Sequence, residues 1–384
     1  MRFRMLRPVG NRIPTPGKAE EGDYPWVSYC TELLDSGTSA LYLAFLAASR
    51  MGDEISSPEV ILPAYCCPDL IAAAVAAGVK PVLADLAYES PWMDEHQVRE
   101  MITERTVAIV AVNFLGKRAP LAGLRQLADN HGLLLIEDSA QAIPPSSTNT
   151  PLADFVVLSF GRGKPVNLMG GGALLYPESY RHVLILLIAP LPERQVVCNL
   201  PWHLKRLFFH MLMSRLLYGM MLRIPMLRLG ETRYHPLQQT ARLSLPKSLI
   251  LRGIEAFLCS EATIKSYITS LHFLTDSGWK VLSDMEDVHA AANCGLAEQA
   301  LRFGMLAPSK NDRNAVIEAL NKRGFAVNAL YESSLADMSD VKAFLSQPPE
   351  DFPNARDFSE RLITLPSHND VTRVDIQTMA QVLK

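Results

Sequence analysis

Short apolar runs alternate with longer helix-like stretches between about residues 36 and 176. The apolar runs cover residues 60–62, 81–83, 107–112, 133–136 and 155–160, and stretches rich in alanine and leucine lie between them. Continuous apolar strands separated by helices are typical of a sheet that is covered on both faces. The pattern therefore predicts a mostly parallel α/β sheet, in which ligands bind at the carboxyl ends of the strands.

The pattern changes after residue 176. Residues 177–250 are rich in leucine, methionine and arginine and show no clear strand. From about residue 251 the pattern predicts helices over 254–269 and 315–323, a strand over 361–365 and a last helix over 374–383. We therefore expect a large domain over 1–250, including an N-terminal arm, and a smaller C-terminal α/β domain over 251–384.

Composition narrows the classes of function. The 37 Lys+Arg and 40 Asp+Glu residues give a formal net charge of −3, so there is no overall electrostatic reason to bind nucleic acid. The chain is 48% hydrophobic with a mean hydropathy of +0.09, which is high for a protein of average charge. Part of this excess belongs to the predicted sheet, and the remainder is concentrated at about 194–228.

The cysteines and the apolar tracts indicate the cellular compartment in which we expect the protein. The six cysteines show neither a CxxC pair nor a histidine at metal-ligand spacing, which argues against a zinc site or a disulfide framework. The N-terminal residues lack the apolar stretch of about 7–15 residues that a secretory signal needs. Lysine and arginine interrupt the tract 196–228, so no membrane span is predicted there. We expect a cytoplasmic protein with reduced thiols and no metal.

A glycine and small hydroxyl residues precede a helix-like stretch, in the sequence SGTSAL over 36–41. A helix N-terminus offers free N–H groups and the positive end of the helix dipole, which suit a phosphate group. Serine or threonine before a helix is also an ordinary N-cap. This segment alone leaves both interpretations open.

Two further segments follow predicted strands. In IEDSAQ over 136–141, Asp138 stands at a strand end, where a buried carboxylate needs a protonated partner; the alternative is a surface carboxylate that caps the next helix. Lys164 lies in a glycine-flanked loop after the run 155–160, a setting that suits a Schiff-base nucleophile. A nucleotide P-loop is excluded, because Pro165 follows the lysine and Leu158 occupies the position where glycine is required.

Together, SGTSAL, IEDSAQA and SF-x-x-x-K with its following glycines resemble the DegT/StrS-type sugar aminotransferases, which are pyridoxal-phosphate enzymes of fold type I. Residues 352–355 and LITLPSH over 362–368 resemble the closing pattern of that family. The resemblance implies a seven-stranded, mostly parallel sheet in the large domain and a homodimer. It also implies pyridoxal 5'-phosphate as the cofactor, L-glutamate as the amino donor and a nucleotide-linked keto sugar as the acceptor.

The resemblance also assigns roles to individual residues. Lys164 would bond covalently to the cofactor, Asp138 would pair with its ring nitrogen, and Gln141 would lie beside its phenolic oxygen. Thr38, Ser39 and Ser159 match the positions that bind the phosphate. His368 falls where the family brings a group of the C-terminal domain toward the site; the alternative is a loop histidine without a ligand.

The sequence departs from the family at several positions. The residue that stacks on the cofactor ring is usually aromatic, whereas here Cys67 occupies that position, or Tyr65 takes over the role. The Asn-Tyr-Arg-Met signature that the neighbouring subunit contributes is reduced to residues 240–243, in which Arg242 keeps the arginine. We expect Tyr65, Arg242 and His368 to contact the substrate.

The apolar, basic stretch 194–228 contains lysine, arginine and five methionines but no acidic residue. Such a stretch suits peripheral contact with the inner face of a membrane or an acyl-chain pocket, and equally a dimer interface or a core helix pair. Two alternatives to the keto-sugar enzyme therefore stay open. One is an aminotransferase that acts on a lipid or acyl carbonyl, and the other is a non-catalytic sensor or partner subunit.

Overall fold

The computed structural model describes residues 4–17, 23–52, 55–143, 152–227, 230–258, 261–271, 274, 277–282, 300–345 and 351–383. Cys259 and Cys294, which the thiol prediction includes, lie outside these residues. Within them, a large and a small sheet are flanked by helices. The strands are β1 Cys30–Leu34, β2 Glu59–Pro63, β3 Lys80–Ala84, β4 Thr106–Val112, β5 Leu134–Asp138, β6 Phe155–Ser159, β7 Gly172–Tyr176, β8 Glu193–Gln195, β9 Arg242–Ser244, β10 Lys280–Val281, β11 Arg302–Leu306 and β12 Leu362–Pro366.

The helices of the described residues alternate with the first strands and then follow one another. They are α1 Gly37–Met51, α2 Asp69–Ala76, α3 Glu95–Met101, α4 Leu121–His131, α5 Arg181–Ile188, α6 Leu200–Leu212, α7 Arg215–Met221, α8 Lys247–Leu258, α9 Glu261–Leu271, α10 Lys310–Lys322, α11 Pro353–Arg361 and α12 Arg373–Leu383.

The large sheet confirms the α/β prediction. Among the described residues its strand order is β3-β2-β4-β5-β6-β7-β1-β9-β8, and the neighbours from β3 through β6 are parallel. Strand β7 is antiparallel to both β6 and β1. All seven residues of β4 are buried, as expected for a strand that helices cover on both faces.

Two sequence predictions differ from the structure. The stretch 177–250 contains the short strands β8 and β9, which extend the seven-stranded core of the sheet at the β1 edge. Sequence patterning missed them because three-residue strands such as Glu-Arg-Gln in β8 carry no apolar run. The helix predicted over 254–269 is two helices, α8 and α9, and α8 begins at Lys247.

The small sheet is antiparallel, with the order β10-β11-β12 in the described part of the chain. Its apolar cluster includes Phe303 and Ile363 and also Leu6, from near the other end of the chain. The main cluster of the large sheet also contains Leu306 and Phe358, so buried contacts connect the two parts. The domain boundary at residue 250 stays a prediction.

The N-terminal arm, residues 4–17, runs along both parts. Leu6 donates a backbone hydrogen bond to Gly324 and pairs with Phe325 beside the small sheet. Asn11 donates to the carbonyl of Pro165, next to the predicted cofactor lysine. The arm thereby joins the small sheet to the loop after β6.

Among the described helices, none is both long enough and apolar enough to cross a membrane.

Candidate active site

The predicted site residues meet where the parallel strands end. Asp138 is the last residue of β5, Ser159 is the last of β6, and Lys164 lies in the loop that follows β6. Helix α1 begins at the end of β1, which lies parallel to β6 because both strands are antiparallel to β7. The first turn of α1 therefore faces the same edge of the sheet, where ligands bind in such folds.

The start of α1 forms one wall of the site. Ser36 caps the helix by accepting from the Ser39 N–H (3.0 Å), and the buried Ser39 hydroxyl donates to Oδ1 of Asp35 (2.7 Å). Both polar groups of Ser39 are thus used within the turn. Thr38 is half-buried, and its hydroxyl has no hydrogen-bond partner in the described residues. Of the two predicted phosphate ligands on α1, Thr38 is therefore the one with a free hydroxyl.

Gly37 lets the helix approach the end of β6. A Cβ atom on Gly37 would lie only 2.8 Å from Cβ of Ser159 and 3.1 Å from its Oγ. The start of α1 and the Ser159 hydroxyl consequently lie close together, and a side chain at residue 37 would come between them. Backbone N–H groups at a helix N-terminus with nearby hydroxyls are suited to holding a phosphate.

Asp138 is buried, with 4% of its surface exposed. Its Oδ1 accepts the Ala140 N–H at 2.9 Å, and Oδ2 accepts no hydrogen bond within the described chain. Burial raises the pKa of this carboxyl, and the Ala140 N–H and the Lys164 ammonium oppose that rise. A buried carboxylate with one free oxygen fits a protonated partner such as a pyridinium nitrogen.

Lys164 is half-buried close to Asp138 and Cys67. Its backbone N–H donates to the Gly161 carbonyl at 3.3 Å, whereas its amine makes no hydrogen bond or ion pair with the described residues. Gly163 has φ +75°, and Cγ1 of Val9 lies 3.0 Å from the position of a Cβ there. Glycine is therefore required in this loop by conformation and by space.

The N-terminal arm fixes the loop that carries Lys164. Asn11 Nδ2 donates to the Pro165 carbonyl (3.1 Å), and Asn167 Nδ2 donates back to the Asn11 carbonyl (2.9 Å). Asn11 and Asn167 are both buried. Buried reciprocal hydrogen bonds of this kind hold two segments in one register. Asn167 thus connects the Lys164 loop to the arm.

Gln141 is buried and connects to a residue that sequence reasoning missed. Its Oε1 accepts the Leu115 N–H (3.1 Å), and its Nε2 donates to the hydroxyl of Tyr331 (3.0 Å). Burial and the nearby Cys67 raise the pKa of Tyr331, which therefore stays a neutral phenol. No motif surrounds Tyr331, and only the fold brings it across 190 residues of sequence to Gln141.

The two candidates for the stacking position lie in different surroundings. Tyr65 is buried, and its hydroxyl donates to the carbonyls of Ala329 and Tyr331, both at 3.1 Å. Cys67 is partly exposed beside Lys164, and burial of the thiol group raises its pKa to about 12, so it is an uncharged thiol. This placement favours Cys67 over Tyr65, and the assignment stays a prediction.

His368 and Arg242 are engaged elsewhere. His368 is buried; its Nδ1 accepts the Asp370 N–H (3.3 Å) and its Nε2 donates to the Arg7 carbonyl (3.0 Å), so it holds the arm. Burial lowers its pKa to about 4. Arg242 lies on β9 with its Nη2 atom 3.4 Å from Glu193. The structure does not bring these two residues together with Lys164, and their contact with substrate stays a prediction.

Comparison with known proteins identifies relatives that act on nucleotide-linked sugars. The chain is 31% identical over 162 residues to GDP-perosamine synthase of Vibrio cholerae, an alignment that covers 41% of this chain and 42% of that protein. It is 30% identical over 196 residues to dTDP-3-amino-3,4,6-trideoxy-alpha-D-glucose transaminase of Micromonospora megalomicea subsp. nigra, which covers 50% and 51%. The chain thus spans about half the length of these relatives.

The solved structure of a putative sugar aminotransferase, Spr1654 from Streptococcus pneumoniae, in its PMP form, has the same fold. The TM-score is 0.68 at 20% identity, over 92% of this chain and 86% of that one. The fold is therefore fold type I, as predicted. A model of the DegT/DnrJ/EryC1/StrS aminotransferase family matches residues 23–187 and 280–384, which confirms the resemblance: the chain belongs to that family.

Proposed function

We propose that the protein is a pyridoxal-phosphate-dependent aminotransferase. It takes the amino group of an amino acid, with L-glutamate as the expected donor, and transfers it to the keto group of a nucleotide-linked keto sugar. One observation supports this proposal most: the unpaired Lys164 amine, the buried Asp138 carboxylate and the start of α1 beside Ser159 lie at the same edge of the sheet. Family membership and the names of the two nucleotide-sugar relatives support the acceptor class.

The residues of the site fit the cofactor. The first turn of α1 with Thr38 and Ser159 would hold its phosphate, Asp138 its ring nitrogen, and Lys164 its aldehyde carbon. When bound, pyridoxal phosphate supplies an electron sink for the pair left behind when a proton leaves the amino acid.

Each side chain then has a definite task. Asp138, whose Oδ2 atom is free, keeps the ring nitrogen protonated. The Lys164 amine, which no other described group holds, takes the α-proton of the donor and returns it as a general base and acid. Gln141 and Tyr331 form a hydrogen-bonded pair near Cys67, which would hold Gln141 beside the phenolic oxygen of the cofactor.

The surroundings of α6 favour a sugar over an acyl acceptor. Leu204, Leu207 and Phe208 are each more than half exposed. Within the described part of the chain these three side chains face the surface. A chain-like acceptor would need a buried apolar pocket. We also propose that the protein works as a homodimer, by family resemblance.

A Lys164→Ala variant tests the proposal. The purified wild type with added pyridoxal phosphate is expected to show the visible absorbance of a covalently bound cofactor and to lose it when L-glutamate is added. Adding a keto sugar linked to a nucleotide should restore it. Lys164→Ala should show neither change, while Lys322→Ala, which alters an exposed lysine on α10, should behave as wild type. Turnover by Lys164→Ala, or a wild type that takes up no cofactor, would refute the proposal, and the second result would indicate a non-catalytic member of the family.

A further inference from the structure

Helix α6 presents an apolar stripe to solvent. Leu200, Leu204, Leu207, Phe208 and Met211 are 70%, 57%, 63%, 56% and 50% exposed. Their spacing of four, three, one and three residues places all five on one face of the helix. This helix lies in the part of the chain, 188–279, that the family model does not match.

The opposite face of α6 turns its polar groups inward. Arg206 Nε donates to the Ile13 carbonyl (2.8 Å), and His210 Nε2 accepts the Ile13 N–H (2.9 Å). The guanidinium of Arg162 lies over the Phe209 ring, 5.7 Å from its centroid. A surface helix of a globular protein ordinarily buries its apolar face and exposes its polar one. Here hydrogen bonds to the N-terminal arm fix the reverse orientation.

The apolar surface continues beyond α6. On α7, Leu216 and Met220 are 47% and 50% exposed, one turn apart, and Met226 in the following segment is 85% exposed. Patches of large exposed apolar side chains mark interaction sites on soluble proteins. The segment that follows α6 therefore belongs to the same kind of surface.

The sequence of this segment contains cations only. Between residues 194 and 227 it contains five lysine or arginine residues and no aspartate or glutamate. Arg194 and Arg215 pair with Asp35 and Asp375, and Arg206 bonds to Ile13. Lys205 is exposed on α6, about 100° around the helix from Leu204, and the exposed Arg162 lies over Phe209. An anionic surface complements this charge. Two copies of the same face paired around a two-fold axis would instead bring cations against cations.

We propose that the outward face of α6, together with α7, docks on an anionic lipid surface. The apolar side chains enter the boundary between headgroups and acyl chains, and Lys205 and its neighbours contact the phosphates. Helix α6 lies flat in this interface along about 20 Å, since each of its 13 residues rises 1.5 Å. The inference does not depend on the proposed function.

Docking in this orientation leaves the inward face of α6 in place. That face holds the arm through Ile13, and the arm holds the Lys164 loop through Asn11. The cofactor loop then lies about one helix diameter, roughly 10 Å, from the lipid surface. The enzyme would work beside the membrane without inserting its site into it.

Vesicle flotation of the full chain tests the proposal. The wild type is expected to float with phosphatidylcholine vesicles that contain phosphatidylglycerol at low salt, and at least tenfold less at high salt or with phosphatidylcholine alone. The double variant Leu207→Glu/Phe208→Glu should lose at least tenfold of this binding. Lys205→Glu should lower the preference for phosphatidylglycerol while the apolar stripe stays intact.

A matched control alters two other exposed apolar residues. Val27→Glu/Val374→Glu changes side chains that are both 69% exposed and lie outside α6 and α7, and it should bind vesicles as the wild type does. Unfolding temperature and light scattering of each variant check folding and oligomeric state. Absence of vesicle binding by the wild type, equal binding to both vesicle types, or equal loss in the control would overturn the proposal. So would dissociation of an oligomer by Leu207→Glu/Phe208→Glu without any effect on lipid binding.

Discussion

The Asp138 carboxylate is buried, and no cationic side chain of the described residues forms an ion pair with it. Its single hydrogen bond comes from the Ala140 N–H, and its pKa is raised by burial. Gln141, by contrast, has partners on both ends of its amide. The carboxylate is therefore the residue of this pair that gains most when a cationic ring nitrogen arrives.

Asp138→Asn keeps the shape of the side chain and removes its charge. Breaking a buried ion pair on one side costs about 3–5 kcal/mol, so the affinity for pyridoxal phosphate and the transamination rate should fall a hundredfold or more. Titration with the cofactor, followed by absorbance, measures the first effect. Asp94→Asn, which changes the half-buried N-cap of α3, serves as the control. Unchanged cofactor affinity in Asp138→Asn would contradict this role.

Substitutions at two buried tyrosines distinguish a residue that supports the cofactor site from one that stabilises the core. Tyr331→Phe removes the acceptor of the Gln141 amide and should lower the free energy of unfolding by about 1–3 kcal/mol, the cost of leaving a buried donor unpaired. Because Gln141 then loses its fixed position, cofactor binding should weaken as well. Tyr65→Phe removes a hydroxyl that bonds only to backbone groups and should lower the unfolding temperature without changing cofactor affinity. Calorimetry and cofactor titration of both variants distinguish the two. Equal effects on cofactor affinity would refute the distinction.

Sequence reasoning reached the residues that stand next to apolar strands. Asp138, Ser159 and Lys164 could be predicted because a strand end is visible in the pattern and the topology places such ends together. The hydrogen bond from the Ser39 hydroxyl to Asp35 could not be predicted, since it depends on the side-chain rotamer of Asp35. Tyr331 was invisible because its partner lies 190 residues away.

At the scale of elements, the site depends on how closely α1 approaches β6. The contact is possible because residue 37 has no side chain, and the start of β7 is equally close: a Cβ on Gly172 would lie 2.6 Å from the Gly37 nitrogen. Three elements therefore approach one another closely at these two glycines. Because these elements are tightly packed, a shift of any one of them alters the proposed phosphate-binding site at the start of α1.

Gly37→Ala should push α1 and Ser159 apart. The added methyl group would lie 2.8 Å from Cβ of Ser159 and 3.4 Å from its Cα, which the backbone cannot avoid by rotating a side chain. We expect a loss of about 1–3 kcal/mol in the free energy of unfolding and weaker binding of the cofactor phosphate. Urea unfolding and competition with inorganic phosphate measure the two effects. In Gly17→Ala the nearest neighbour is the flexible Arg252 side chain, so this control should remain near wild type.

Element prediction was accurate where apolar periodicity is strong. Strands β2 to β6 lie within one or two residues of the predicted runs, because each is a continuous buried stretch. Strands β8 and β9 were missed since they are short, and β8 is exposed at all three residues. Their pairing with each other and of β9 with β1 is decided by the sheet edge and not by their own sequence.

At the scale of the whole molecule, the N-terminal arm connects parts that are distant in sequence. Arg7 pairs with Asp370 (2.7 Å), and its carbonyl accepts from the neutral ring of His368. His210 accepts from Ile13 in the same uncharged state, and burial together with nearby arginines lowers its pKa as well. His210 therefore holds the arm only while it is unprotonated. Protonation of His368 would remove the acceptor of the Asp370 N–H and leave its own donation to Arg7 in place.

His368 should make the stability of the protein depend on pH. A histidine side chain in water has a pKa of 6.5, and burial lowers the pKa of His368 to about 4, so between these values the unfolded chain binds a proton that the folded chain does not. Stability should be complete above about pH 6.5 and decrease by about 3 kcal/mol as pH falls through 4. Urea unfolding of wild type and His368→Gln at several pH values measures this. The variant should lose less on acidification, and His131→Gln, at an exposed histidine, should match wild type; identical pH profiles in all three would contradict the assignment.

The division of the chain into two domains shows what sequence patterning leaves out. The boundary predicted near residue 250 falls inside helix α8, which begins at Lys247. The apolar clusters also cross that position: Phe358 packs with the large sheet, and Leu6 packs with the small one. Such exchange of segments depends on the three-dimensional path of the chain, which local periodicity does not contain.

The arm also imposes an order on the synthesis of the protein. Residues 4–17 leave the ribosome early, but their partners Gly324, Phe325 and His368 are made only after more than three hundred further residues. The strands that carry Asp138 and Ser159 are complete long before that. A nascent chain that ends before residue 324 can therefore anchor the arm through Asn11 and Ile13 only, and the contacts of the arm with the small sheet form after that sheet has been made.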